Sequence, residues 1–141
     1  MVLLSTSSLG DTPFQQLLGH NPPIYYSWNN LSHVLSKDGK LSHSLKEEMR
    51  RILAQQNGCQ YCKAKGLPTN QFTDDKSALC IGFVEVYLKM KEKVPYYIVE
   101  KLKEHLTDDE IIELITFTLF TTAQQHFGAI LQIGAKNDHK A

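Results

Sequence analysis

The sequence predicts an all-α protein folded as a single helical domain. Three observations carry that expectation. Apolar residues recur at intervals of three and four in one segment after another, prolines and capping residues bracket those segments, and no useful stretch alternates with the period of two that a half-buried strand needs. The chain has 141 residues, the size of one domain spanning 1–141. At that length roughly two-thirds of the unfolded surface can be buried. Apolar residues make up 42% and charged residues 21%, which excludes disorder of the whole chain.

Thr12-Pro13 starts the first helix, with a capping hydroxyl before a proline at the first helical position, and Gly19 stops it. Asn21-Pro22-Pro23 opens a second, whose stripe is Ile24, Trp28, Leu31 and Leu35, and Asp38-Gly39 ends it. Ser44, with Glu47 three residues later, has the spacing of a capping box and starts a third. Its stripe is Leu45, Met49, Ile52 and Leu53, and Asn57-Gly58 terminates it because glycine accepts the left-handed conformation of a helix stop. A short helical turn follows from Cys59 toward Gly66, and Pro68 blocks its extension. Thr73-Asp74-Asp75 opens a long helix to about Lys91. Its middle, Ala78 to Leu88, is apolar almost all round, so cover by the core or by another subunit is expected. Pro95 starts the next helix, with Ile98, Val99, Leu102 and Leu106 inward. Thr107 and Glu110 form a second capping box for a last helix from about Asp108 to Ile133, with Ile112, Ile115, Leu119, Ala123, Phe127 and Ile130 as the expected core stripe. Lys136 to Ala141 reads as a frayed tail.

Fifteen basic residues balance fifteen acidic ones, so the positive excess typical of a nucleic-acid binder is missing. Near-zero net charge permits self-association. No run approaches the ~20 apolar residues of a membrane span. Ala78 to Leu88 and Ile111 to Phe120 are interrupted by Glu85 and Glu113. Met1-Val2-Leu3-Leu4-Ser5 lacks the basic flank and apolar run of a signal peptide, so the expected location is cytoplasmic. A close cysteine pair in that reducing setting points to redox chemistry or metal rather than to a structural bridge.

The pair is Cys59-Gln60-Tyr61-Cys62. On the first turn of a helix, unpaired backbone N–H groups favour a thiolate, and the second sulfur lies one turn along on the same face. Lys63 and Lys65 add positive charge. A thiolate can attack, and its neighbour can resolve the product to a disulfide. The competing readings are an inert pair that only packs a helix start and half of a zinc site; no second pair or ligand-spaced histidines accompany it, so no metal is expected. Glu47 has two readings, a capping carboxylate or a catalytic one. Glu48 reads as solvated, Cys80 as a small core hydrophobe, and His20, His33, His43, His105 and His139 as surface or cap residues. Tyr25, Tyr26, Tyr96 and Tyr97 suit helix faces, a subunit boundary or a substrate pocket.

Glu47, eleven residues, then Cys59-x-x-Cys62 behind Asn57-Gly58 resembles the carboxymuconolactone decarboxylase family, in its alkylhydroperoxidase D-like branch. Pro23 with Trp28, Leu41-Ser42, Phe72 to Asp75 and Leu106 to Leu114 extend the resemblance over about Pro13 to Leu131. It implies an alkylhydroperoxidase D-like helical bundle, assembled as a homo-oligomer, trimer or hexamer. It also implies a cysteine pair that reduces a hydroperoxide or exchanges with a disulfide, with electrons from a thiol donor and no bound cofactor. In the fully equipped branch two histidines relay protons between the glutamate and the thiols. Here Tyr61 and Gly66 stand at those places and Glu47 alone is kept. A glycine cannot pass a proton, so His126 of the last helix is the candidate replacement and Tyr61 a candidate accessory. The resemblance makes Cys62 the peroxide-reactive thiol and Cys59 the resolving one, with Cys59 also the expected site of partner exchange. Helix electrostatics alone favours Cys59 as the attacking thiol. The expected function is a thiol-dependent oxidoreductase built on Cys59, Cys62 and Glu47. The alternatives are a cofactor-free decarboxylase-like enzyme acting on a small organic acid and a non-catalytic oligomeric scaffold.

Overall fold

The computed structural model describes residues 2–134, so the tail at 136–141, with His139, lies outside them. The described residues form seven α-helices and no strand. In chain order these are α1 (Pro13–Leu18), α2 (Pro22–Ser36), α3 (His43–Gln56), α4 (Gln60–Lys63), α5 (Asp75–Met90), α6 (Tyr96–Lys103) and α7 (Asp108–Ile130), with a 3-10 turn at Lys91–Lys93 between α5 and α6. The all-α expectation is met. The local signals act as expected: Thr12 and Gln15 close a capping box on α1, Asp74 caps α5, and Thr107 and Glu110 close a capping box on α7.

Helix α3 is the hub, packed against α5 on one side and α7 on the other, with α2 against α7. Its Leu45, Met49 and Leu53 meet Cys80, Phe83 and Val84 of α5, Leu102 and Leu106, and Leu114 and Phe117 of α7. Each fully buried side chain of this size contributes roughly 1.5–3 kcal/mol. Cys80 sits inside this core as expected, and burial pushes its thiol up to about 11.

The structure corrects several expectations. Helix α3 is capped by Ser42, whose hydroxyl accepts the Leu45 N–H, so Ser44 is already inside the helix and no capping box involves Glu47. Leu41, buried just ahead of the cap, anchors the chain so that Ser42 falls at the helix start. Glu48 is buried rather than solvated. Its carboxylate accepts the backbone N–H groups of Thr69 and Asn70 and the Thr69 hydroxyl, all at 2.9 Å, and so ties down the loop after Pro68. Burial opposes its charge, but these hydrogen bonds outweigh that and leave its pKa below the ordinary value.

The face of α7 differs most. Ile111, Leu114, Phe117, Thr118, Thr121, Gln125 and Gly128 point inward, whereas Ile112, Leu119 and Ile130 of the expected stripe are 62%, 50% and 70% exposed. The helix is apolar on several sides, so its pattern has no single phase. Its inner half is chosen by contacts with α3 and α4, where small and hydrogen-bonding side chains fit. Helix α2 likewise buries Leu35 but leaves Ile24 and Leu31 exposed. In α5, Cys80, Phe83 and Val84 are buried while Ala78 and Glu85 are exposed.

An ion pair pins the α2–α3 connection to α7. Lys46, 1% exposed, donates to Glu113 at 2.9 Å and to the Lys37 carbonyl at 3.0 Å, and Glu113 also accepts the Leu41 N–H at 2.8 Å. No helix among the described residues is long and apolar enough to cross a membrane.

Candidate functional site

The site forms where α3 stops. Gly58 takes a φ of +77°, turning the chain so that Cys59 becomes the N-cap of α4. Cys59 and Cys62 are joined as a disulfide with their Cα atoms 5.2 Å apart. The Cys59 sulfur also accepts the Cys62 N–H at 3.1 Å. Beneath the pair lie Ala54 of α3 and Ala129 of α7. Gly128 completes that floor: a Cβ there would stand 2.5 Å from the Cys59 sulfur, so only glycine lets α7 come this close.

The two sulfurs differ in access. Cys59 is 1% exposed and enclosed, while Cys62, 8% exposed, lines a cavity of about 210 Å³ between α1, α2, α3, α4 and α7. Arg50, Tyr61, Lys65, Gln124 and Gln125 are among its walls. A second cavity of about 180 Å³ shares Ser32, Arg50, Lys65, Thr121 and Gln124 with the first and reaches Glu47 and His43.

Glu47 acts through an intermediary. Its Oε1 accepts Arg50 Nε at 2.7 Å, and its Oε2 accepts Arg50 Nη2 at 2.8 Å and Arg51 Nε at 3.0 Å. Arg50 Nη1 donates to the Cys62 carbonyl at 3.0 Å. The Arg50 hydrogen bonds, against a desolvation cost and with help from Arg51, bring the Glu47 pKa down to about 2. At neutral pH this group is a fixed anion, poorly suited to accept and return a proton.

A buried chain of amides secures the other side. Asn57 Nδ2 donates to Gln125 Oε1 at 2.8 Å, and Gln125 Nε2 donates to the Arg50 carbonyl at 3.1 Å. The loop that carries Cys59 is thereby tied to α7 and α3. Next to it, Trp28 packs on Phe120 and Phe127 and donates to Gln124 Oε1 at 3.2 Å. Tyr61 is half-buried beside the pair, with the Lys65 ammonium 4.6 Å above its ring. Lys65 is exposed as a whole, yet desolvation and then the charge of Arg50 lower its pKa, with Glu47 opposing them.

The structure therefore brings Cys59, Cys62, Tyr61 and, through Arg50, Glu47 into one site. His126 sits elsewhere: it is exposed on α7, in line with Leu119, Ala123 and Ile130, and does not line the cavity at Cys62. At Gly66 the backbone has a φ of +138°, and a Cβ would stand 3.0 Å from the Arg51 guanidinium carbon. The family's histidine thus has no unstrained place at this position. Sequence reasoning missed Arg50, Gln125 and Gly128. Arg50 lies three residues after Glu47, the spacing of a helical ion pair, which is the one signal that could have found it. Among the described residues, no group of three or more His, Cys, Asp or Glu is placed to hold a metal ion. No family model matches the chain, and no curated protein matches it either.

Proposed function

We propose that this protein is a thiol–disulfide oxidoreductase of the alkylhydroperoxidase D-like kind, with Cys62 as the exchanging thiol and Cys59 as the resolving one. The observation that carries the reading is the unequal placement of two bridged sulfurs. Cys62 stands at a cavity, while Cys59 is enclosed with a backbone N–H directed at its sulfur.

In the reduced protein the Cys62 thiolate attacks one sulfur of a substrate disulfide, forming a mixed disulfide and expelling one thiolate. Cys59, as thiolate, then attacks the Cys62 sulfur, closes the bridge and expels the second thiolate. Two electrons pass to the substrate, and the two thiol protons go to the expelled thiolates. A small thiol donor reverses the sequence: it attacks Cys62, and Cys59 leaves as a thiolate stabilised by the Cys62 N–H. Partner exchange thus moves to Cys62, because Cys59 is closed off. No bound cofactor enters any step.

Disulfide exchange is favoured over peroxide reduction. Reducing a hydroperoxide calls for a proton on the departing alkoxide; no His, Asp or Glu lines the cavity at Cys62 to cycle one at neutral pH, and its titratable walls are Lys65 and Tyr61, whereas exchange expels thiolates that leave unprotonated. Glu47 is assigned an orienting role, holding Arg50 against the Cys62 carbonyl. The exposed apolar face of α7 and the exposed Ile24 and Leu31 of α2 support assembly as a homo-oligomer, trimer or hexamer.

The test is to reduce the protein, add a small disulfide and count thiols. The expected result is loss of two thiols with a Cys59–Cys62 bridge, a trapped mixed disulfide in Cys59→Ser, and none in Cys62→Ser. Trapping only in Cys62→Ser would reverse the assignment. Unreactive thiols in the native protein would leave the organic-acid enzyme or the scaffold.

A further inference from the structure

We infer that the cavity at Cys62 is an anion subsite, and that the disulfide exchanged there is a small molecule carrying a carboxylate near its sulfurs. This rests on the exchange reading above and names its substrate class.

The charged side chains lining the cavity are Arg50 and Lys65, both cations, and no carboxylate lines it. Its other polar walls are neutral amides and hydroxyls such as Gln124, Asn29, Ser32 and Thr121. The nearest counter-ion, Glu47, is already divided between Arg50 and Arg51, so one negative charge serves two guanidiniums. Lys65 has no ion pair among the described residues, and its ammonium rests on the Tyr61 ring. Desolvation, and after it the charge of Arg50, lower its pKa, with Glu47 acting in the opposite direction. Gln124 gives its oxygen to Trp28, which leaves its amide N–H groups as donors at the cavity wall.

Size narrows the ligand. About 210 Å³ is below the ~300–1,000 Å³ of a drug-sized pocket, so the cavity takes one arm of a small disulfide. Chemistry narrows it further. The attacking group is a thiolate, and a carboxylate on the approaching disulfide repels it unless cations stand between them. Arg50 and Lys65 line the same cavity as Cys62 and supply that positive charge, Lys65 as a point charge without an ion-pair partner among the described residues. The electron balance is that of the exchange: two electrons leave the Cys59/Cys62 dithiol, one S–S bond breaks in the substrate, one forms in the protein, and two carboxylate-bearing thiols depart.

The experiment compares the reduced protein with dithiodipropionate, which is anionic, hydroxyethyl disulfide, which is neutral, and cystamine, which is cationic. Closure of the Cys59–Cys62 bridge is followed by quenching and mass measurement. Each rate is divided by that of a free dithiol with the same reagent, to remove intrinsic reactivity. Clefts of one charge sign raise rates for the opposite sign by ~10-fold or more, so dithiodipropionate is expected to lead hydroxyethyl disulfide by about tenfold, with cystamine slowest. Added salt shrinks the preference. Lys65→Glu is expected to reduce the anion-to-neutral ratio to one or below. Lys63→Gln, exposed and outside the cavity, keeps it. Equal normalised rates for all three reagents would overturn the anion subsite and leave the exchange reading standing. An anion preference that survives Lys65→Glu would overturn the placement of the subsite. Failure of every disulfide to close the bridge would overturn the exchange reading and this inference with it.

Discussion

Arg50 holds the carbonyl oxygen of Cys62 with its Nη1 at 3.0 Å, and with its other nitrogens it holds both oxygens of Glu47. A carboxylate twelve residues ahead of the pair thus bears on the cysteine turn without touching either sulfur. The guanidinium is planar and forked, so it can serve a carboxylate on one edge and a backbone acceptor on the other.

Replacing Arg50 by Gln removes the charge and most of these bonds. The expected loss is ~1–3 kcal/mol of stability, toward the low end because Glu47 is partly exposed. Arg50→Lys keeps the charge but loses the fork, and is expected to recover little. Urea unfolding of the three proteins in their oxidised forms measures both effects.

The acid limb of stability follows from Glu47. Its folded pKa of about 2 lies below its ordinary 4.5, so its stabilising effect is complete above that ordinary value and is lost as pH falls from there toward 2. Glu48 and Glu113 are also depressed and act in the same direction, so the difference between wild type and Glu47→Gln isolates the one carboxylate. That difference is expected to narrow on acidification. Across the neutral range Glu47 stays ionised, and the pH profile of exchange should show no inflection that Glu47→Gln removes.

Gly128→Ala tests the floor under Cys59. In an ordinary helix this change gains up to ~1 kcal/mol. Here the new methyl would lie 2.5 Å from the Cys59 sulfur, and overpacking typically costs ~1–3 kcal/mol. The expected outcome is a lower thermal midpoint, and a rise would show that α7 can shift to make room.

Introducing histidines at Tyr61 and Gly66 should have unequal outcomes. Tyr61→His stays within a helical turn and is expected to fold. Gly66→His must hold a φ of +138° and displace the Arg51 guanidinium, so it is expected to lower stability without creating a relay. Peroxide consumption and thermal unfolding of the single and double variants separate these effects.

Leu119→Glu probes the uncovered face of α7. On a solitary chain an exposed substitution stays within about 0.5 kcal/mol. In an assembly built on this face it places a charge in an apolar contact. Sedimentation is expected to show a smaller species for Leu119→Glu than for the parent chain.

Features written in neighbouring residues are legible in the sequence itself. Thr12, Asp74 and Thr107 announce helix starts, and Asn57-Gly58 announces a stop, because caps and turns are satisfied locally. The cysteine pair is legible for the same reason. What distant packing decides is not. Ser42 and Ser44 are equally good caps, and burial of Leu41 selects the first. Glu48 looks like any surface carboxylate until Thr69 and Asn70 fold over it. Helix α7 has apolar residues on several sides, so its inner face is set by where Asn57, Arg50 and Cys59 stand.

Gly128 is synthesised sixty-nine residues after Cys59, as their numbers show, and it is part of what closes over that sulfur. On a translating ribosome the two thiols therefore emerge long before their cover, and stay open to whatever oxidants or chaperones surround the nascent chain. The difference between an enclosed and an accessible sulfur is established only when the final helix docks, so the asymmetry of the pair is among the last properties the newborn molecule acquires.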